Sequence, residues 1–182
     1  MQLFTTVVIG ASLAVSGYAQ QFGTAENLAP YIPMPQAIVE RVLEAGHVKA
    51  GDVVYDLGSG DGRIVITAAQ KFGAKAVGVE LRADLCRIAN ERIKMLGLQD
   101  QVQMMQASAL RVDLSPADVV IMYLLTSSNE RMKPNLEKYL KPGARVVSNE
   151  FPIKGWKASE TLKAKNGTME HTIYVYEIGR IR

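Results

Sequence analysis

The sequence predicts an α/β fold: a doubly wound, mostly parallel sheet with helices on both faces and an antiparallel hairpin at the C-terminal end. Three observations predict it. Short apolar runs that end in an acidic residue, at 53–56 and 76–80, alternate with stretches of helical period. A glycine-rich turn joins the first run to its helix. Late in the chain, Thr161 to Lys165 and His171 to Ile178 flank Asn166-Gly167, the dipeptide of a tight hairpin.

The glycine-rich turn organises the rest. Val53-Val54-Tyr55-Asp56-Leu57 reads as a buried strand, Gly58-Ser59-Gly60-Asp61-Gly62 as the turn, and Arg63-Ile64-Val65-Ile66 as the start of a helix. Glycines at alternate positions let the backbone approach a ligand, and the following helix presents unpaired N–H groups toward it. Asp56 stands at the carboxyl end of its strand, the edge where open α/β sheets bind ligands. The spacing is Asp-x-Gly-x-Gly-x-Gly, not the Gly-x-Gly-x-x-Gly of dinucleotide sites. Carboxylates at 56 and 61 would repel a pyrophosphate, which disfavours a nicotinamide dehydrogenase. A cationic, phosphate-free cofactor suits the loop, and S-adenosylmethionine fits, with a positive amino group and sulfonium. Ala76-Val77-Gly78-Val79-Glu80 ends in a second carboxylate, placed to accept both ribose hydroxyls.

Composition sets bounds. With 182 residues, 48% apolar and 21% charged, the chain is long enough for one domain with a proper core. A net charge of +3 is too small to argue for nucleic acid. The single cysteine, Cys86, excludes an internal disulfide and reads as a small packing residue. His47 and His171 have no metal-ligating partner at useful spacing, so no metal is expected and both read as structural or solvated.

Residues 1–25 carry no charged side chain, and 3–19 are mostly apolar, ending in a pattern like a signal-peptidase site after Ala19. Two readings stand: a signal-like or membrane-anchoring segment, or a buried or frayed arm. An anchor with the catalytic domain facing the cytoplasm keeps the enzyme beside its cofactor supply. Residues 20–28 read as a linker. Pro35 then opens a helix with Ile38, Val39, Val42 and Leu43 as its apolar stripe and Gly46 as its end. Further along, the pattern predicts helices over 63–72 and 83–96, the latter with Leu85, Ile88, Ala89 and Leu96 inward. It also predicts strands over 102–106, 119–125 and 145–148. The helical stretch 128–140 contains Pro134, expected to divide it. Trp156 lines the target site or plugs the sheet edge.

Residues 31–35 (Tyr31-Ile32-Pro33-Met34-Pro35), 53–66, 77–80, 119–125 and 141–148 resemble the class I S-adenosylmethionine-dependent methyltransferases. Within them the chain is most similar to the small protein-lysine methyltransferases. That branch has microbial members and mitochondrial relatives acting on the ATP synthase c-subunit or the adenine nucleotide translocase. The resemblance covers roughly residues 30–150. It implies a Rossmann-like seven-stranded sheet and a domain over 26–182. It further implies a protein substrate that could itself be a membrane protein, no nucleic acid, a membrane tether and a monomer. The cofactor residues it implies are Asp56, Gly58, Ser59, Gly60, Gly62, Glu80 and Leu81, with Ser108 and Ala109 beside the adenine. At 108 many relatives carry an Asp, and serine is a weaker acceptor.

Methyl transfer from a sulfonium needs a neutral nucleophile about 3 Å from the methyl carbon. A lysine amine of pKa about 10.4 is mostly charged at pH 7, and a narrow, dry channel lowers that pKa. Tyr31, Tyr123 and Asn149 are the residues expected around the amine, with no single general base. The alternatives are a small-molecule methyltransferase or a non-catalytic S-adenosylmethionine-binding protein.

Overall fold

A computed structural model describes residues 26–181. The expected leader or anchor at residues 1–25 lies outside them. Among the described residues no helix is long and apolar enough to cross a membrane.

Seven strands form one sheet: β1 (Val53–Leu57), β2 (Lys75–Glu80), β3 (Val102–Gln106), β4 (Val119–Met122), β5 (Arg145–Asn149), β6 (Glu160–Asn166) and β7 (Met169–Glu177). Their order is β3-β2-β1-β4-β5-β7-β6. The first five run parallel, and β7 lies antiparallel between β5 and β6. The helices among the described residues are α1 (Gln36–Ala45), α2 (Arg63–Phe72), α3 (Ala83–Met95) and α4 (Thr126–Tyr139), with a 3-10 turn at Ala109–Arg111. The doubly wound sheet and its C-terminal hairpin are as the sequence predicts.

Strand residues alternate between two cores. Val54, Val119, Ile121, Val147 and Ile173 pack toward α1, α2 and α3, while Tyr55, Leu57, Val120, Met122 and Tyr176 pack toward α4 and the 3-10 turn. All four residues of β4 are buried, which is why its apolar run shows no alternation. On α1, Ile38, Val39, Val42 and Leu43 form the buried stripe, and Pro35 caps the helix with its carbonyl accepting from Ile38 and Val39.

Several expectations need correction. The strand expected over 119–125 stops at Met122, and Tyr123 to Leu125 turn away toward α4, which begins at Thr126. Pro134 does not divide that helix. Packing of Met132 and Leu136 in the core holds it together despite the missing N–H. On α3 the inward stripe is Leu85, Cys86, Ala89 and Ile93; Ile88 and Leu96 are exposed. The hairpin turn is shifted by one residue. Asn166 pairs with Met169, so Gly167 and Thr168 form the loop. The glycine occupies the first turn position at φ +60, as a type II′ turn requires. Trp156 meets Tyr176 of β7 edge-on at 5.6 Å and donates to Glu137 of α4, so it packs between that helix and the face of the sheet, neither lining the cavity nor plugging the sheet edge.

Candidate active site

Strand order reverses between β1 and β4, the switch point where open α/β sheets hold ligands. A cavity of about 350 Å³ opens there. Its floor is Asp56, Gly58, Ser59 and Gly60 after β1; its sides are Val79, Glu80 and Leu81 after β2, Ala107 and Ala109 after β3, and Tyr123 and Leu124 after β4. The roof is the run 26–34. Part of that run reads as linker in the sequence, yet Leu28 is buried and its carbonyl accepts from the Ser128 hydroxyl of α4.

The turn after β1 spends its donors inside the protein. Gly58 and Ser59 N–H both donate to Val79 O, Gly60 N–H donates to Glu80 Oε2, and Gly62 N–H donates to Ser59 O. Arg63 N–H, the first of α2, turns back to Asp61 Oδ1. These five N–H groups are therefore engaged and cannot cradle a diphosphate. Gly60, at φ +57, lies directly beneath the Tyr31 ring: a Cβ there would stand 2.5 Å from Cε2. Gly62 is off the cavity wall, against Ala89, and lets α2 pack close to α3.

Asp56 is almost fully buried and its Oδ2 has no partner. Burial pushes its pKa up to about 7, against the pull of the Ser59 hydroxyl and with a further push from the charges of Glu80 and Asp61. That hydroxyl has no well-aligned partner of its own. Asp61 behaves differently. Burial raises it too, but hydrogen bonds from Arg63 and the charges of Arg63 and Arg92 together hold it below the usual carboxylate range. Arg63 Nη2 and Arg92 Nη1 reach Asp61 Oδ2 at 2.7 and 2.8 Å, and Arg63 Nη1 donates to Met34 O at 2.7 Å. This strut ties the roof to the glycine turn. Asp61 and Arg63 are adjacent to the motif in sequence, but Arg92 and Met34 join them only through the fold.

Of the expected site residues, Tyr31, Asp56, Gly58, Ser59, Gly60, Glu80, Leu81, Ala109 and Tyr123 line the cavity. Ser108 does not; its hydroxyl is buried without a partner while its neighbours Ala107 and Ala109 form the wall. Asn149 is fully buried at the end of β5, outside the lining, with both amide atoms unpartnered.

The wall suits S-adenosylmethionine. The unpartnered Asp56 oxygen fits a cationic amino group, and Glu80 keeps a free lone-pair position on each oxygen for ribose hydroxyls. Leu81, Leu85, Ala107 and Ala109 make an apolar slot for a base.

Known proteins agree with this geometry. Residues 56–160 match the ANTKMT methyltransferase domain. A protein-lysine N-methyltransferase from Saccharolobus islandicus (strain REY15A) is 50% identical over 82% of this chain and 94% of its own. The lysine N-methyltransferase of the ATP synthase c-subunit from Mus musculus is 31% identical over 99% of this chain and 72% of its own. The crystal structure of an RNA methyltransferase from Salinibacter ruber, in complex with S-adenosyl-L-homocysteine, superposes with a TM-score of 0.76 at 41% identity. It covers 81% of this chain and 94% of that one. With its seven-stranded sheet, acid-flanked glycine turn and matched residues, the chain belongs to the ANTKMT family of S-adenosylmethionine-dependent methyltransferases.

Proposed function

We propose that the methyl acceptor is the ε-amine of a protein lysine. The observation that carries this reading is the want of an available cation at the cavity. Both of its arginines are already paired, Arg63 with Asp61 and Arg82 with Asp84, and among the described residues no lysine lines it. A phosphate backbone needs available Lys or Arg, whereas a lysine side chain needs none. The names of the Saccharolobus and mouse relatives support the same acceptor.

S-adenosylmethionine supplies an electrophilic methyl on a positive sulfur. Asp56 would hold its amino end and Glu80 its ribose, and Tyr31 would cover the glycine turn and exclude water. Tyr123 would border the acceptor amine, with the Asn149 amide behind it. Positioning and drying then supply most of the catalysis, with no general base among these residues. A membrane-protein acceptor would suit a tether at the charge-free residues 1–25, with a monomeric catalytic domain on the cytoplasmic face.

The test is transfer of a labelled methyl group into a membrane-protein extract and, separately, into total RNA, followed by digestion and mass spectrometry. Label on lysine supports the proposal; label confined to RNA or to small molecules overturns it. Tyr123→Phe should lower turnover more than cofactor affinity. Equal loss of both would make Tyr123 a packing residue.

A further inference from the structure

The corner where β5 leaves the sheet holds a carboxylate that the cofactor does not require. Glu150 follows Asn149, the last residue of β5, with φ +66, in the left-handed region that side-chain-bearing residues seldom occupy. Such strain persists only where the surroundings impose it. Here β7 imposes it. Glu150 N–H donates to Thr172 O at 2.7 Å, and Thr172 N–H points back at Glu150 Oε2 at 3.5 Å. Oε1 lies 2.7 Å from Nδ1 of the buried His171, without hydrogen-bond geometry. The clamped side chain is still 28% exposed.

This corner adjoins the acceptor end of the cavity. Met122 and Ser148 are register partners on β4 and β5, so Tyr123, just past β4, and Asn149, the last residue of β5, lie side by side, and Glu150 comes next. Tyr123 lines the cavity, and its ring stacks on Phe151 with centroids 6.5 Å apart. Burial first, and the Glu150 charge second, push the Tyr123 phenol up. The unpartnered Asn149 amide lies in the same turn. Lys163, which also feels the Glu150 charge, is held by Glu170 at 3.0 Å.

We propose that Glu150 receives the cationic side chain of the acceptor lysine, with His171 and β7 as the groups that position it. The inference rests on the lysine reading above. A lysine arrives as an ammonium, and a preset carboxylate at the channel mouth attracts and orients it before the amine advances past Tyr123. A need of this kind explains why a glutamate, and not a glycine, occupies a left-handed position.

The test uses the full chain and a synthetic lysine-rich peptide, with kcat and KM measured at low and high salt and cofactor affinity by calorimetry. Glu150→Gln keeps the shape and removes the charge. It should raise the peptide KM on the order of tenfold to hundredfold, the range of a charged hydrogen bond. It should also flatten the salt dependence of KM, leaving kcat and cofactor affinity near their original values. Glu150→Asp should recover part of the loss, and His171→Gln should raise KM in the same direction by less. If His171→Gln fails to fold, the Glu150 variants decide the matter alone. A peptide KM and salt dependence unchanged in Glu150→Gln overturn the inference. No lysine methylation by the unaltered enzyme would instead defeat the lysine reading itself.

Discussion

The carboxylate of Glu80 accepts the backbone N–H of Gly60 at 2.8 Å through Oε2 and that of Arg82 at 2.9 Å through Oε1. One side chain therefore ties the turn after β1 to the turn after β2. Glu80→Ala should do more than weaken cofactor binding, because it strands two N–H groups. We expect a loss of about 1–3 kcal/mol of stability together with weaker binding. Thermal melts and calorimetry would read both, and a variant that loses affinity at full stability would contradict this bracing role.

The raised pKa of Asp56 has a definite sign. A carboxyl moved from 3.8 to about 7 binds its proton more tightly in the folded state. Its contribution to stability is thus present below about pH 4 and falls as pH rises toward about 7. A cationic ligand favours the ionised form and reverses the preference. Binding of S-adenosylmethionine at pH 6 should release protons, and affinity should rise from pH 6 to 8. Asp56→Asn should bind roughly tenfold more weakly or worse, with flat pH dependence and no proton release, yet melt higher than the natural chain at pH 8. Calorimetry in buffers of different ionisation enthalpy checks the proton count.

Gly60 has no room for a side chain while Tyr31 stays where it is. Gly60→Ala would put Cβ 2.5 Å from the ring and hold alanine at φ +57, a backbone strain of about 1–2 kcal/mol before any clash. We expect a lower melting temperature and poorer cofactor affinity. Adding Tyr31→Ala should return the steric part of the stability loss, so the two changes are non-additive. Strictly additive melting shifts would mean that the ring does not press on the turn.

Arg63 links Asp61 to the carbonyl of Met34 and so holds the roof over the cavity. Arg63→Ala should loosen residues 26–34, weaken cofactor binding several-fold and destabilise by about 1–3 kcal/mol. Hydrogen exchange would show faster opening of that segment. Protection unchanged in 26–34 would disprove the strut.

The cofactor half was legible because its signals are local. A strand ending in Asp56, three alternating glycines and a second strand ending in Glu80 lie within one unit of sequence, and each states a backbone or charge requirement directly. The fold class followed from the same periodicities. The errors were also local in kind: a one-residue turn shift at Gly167, a strand drawn three residues too long past Met122, and a helix wrongly broken at Pro134. At Pro134 packing of Met132 and Leu136 outweighed propensity.

What the chain alone determined, then, is a doubly wound sheet and an acid-flanked glycine turn. Tertiary structure decided which groups close over that turn. Met34 and Arg92 meet Asp61, Leu28 docks on Ser128, and Glu150 is bent toward His171 by pairing with β7. Such contacts join residues far apart in sequence, and their partners are set by strand order and register, which local periodicity does not encode.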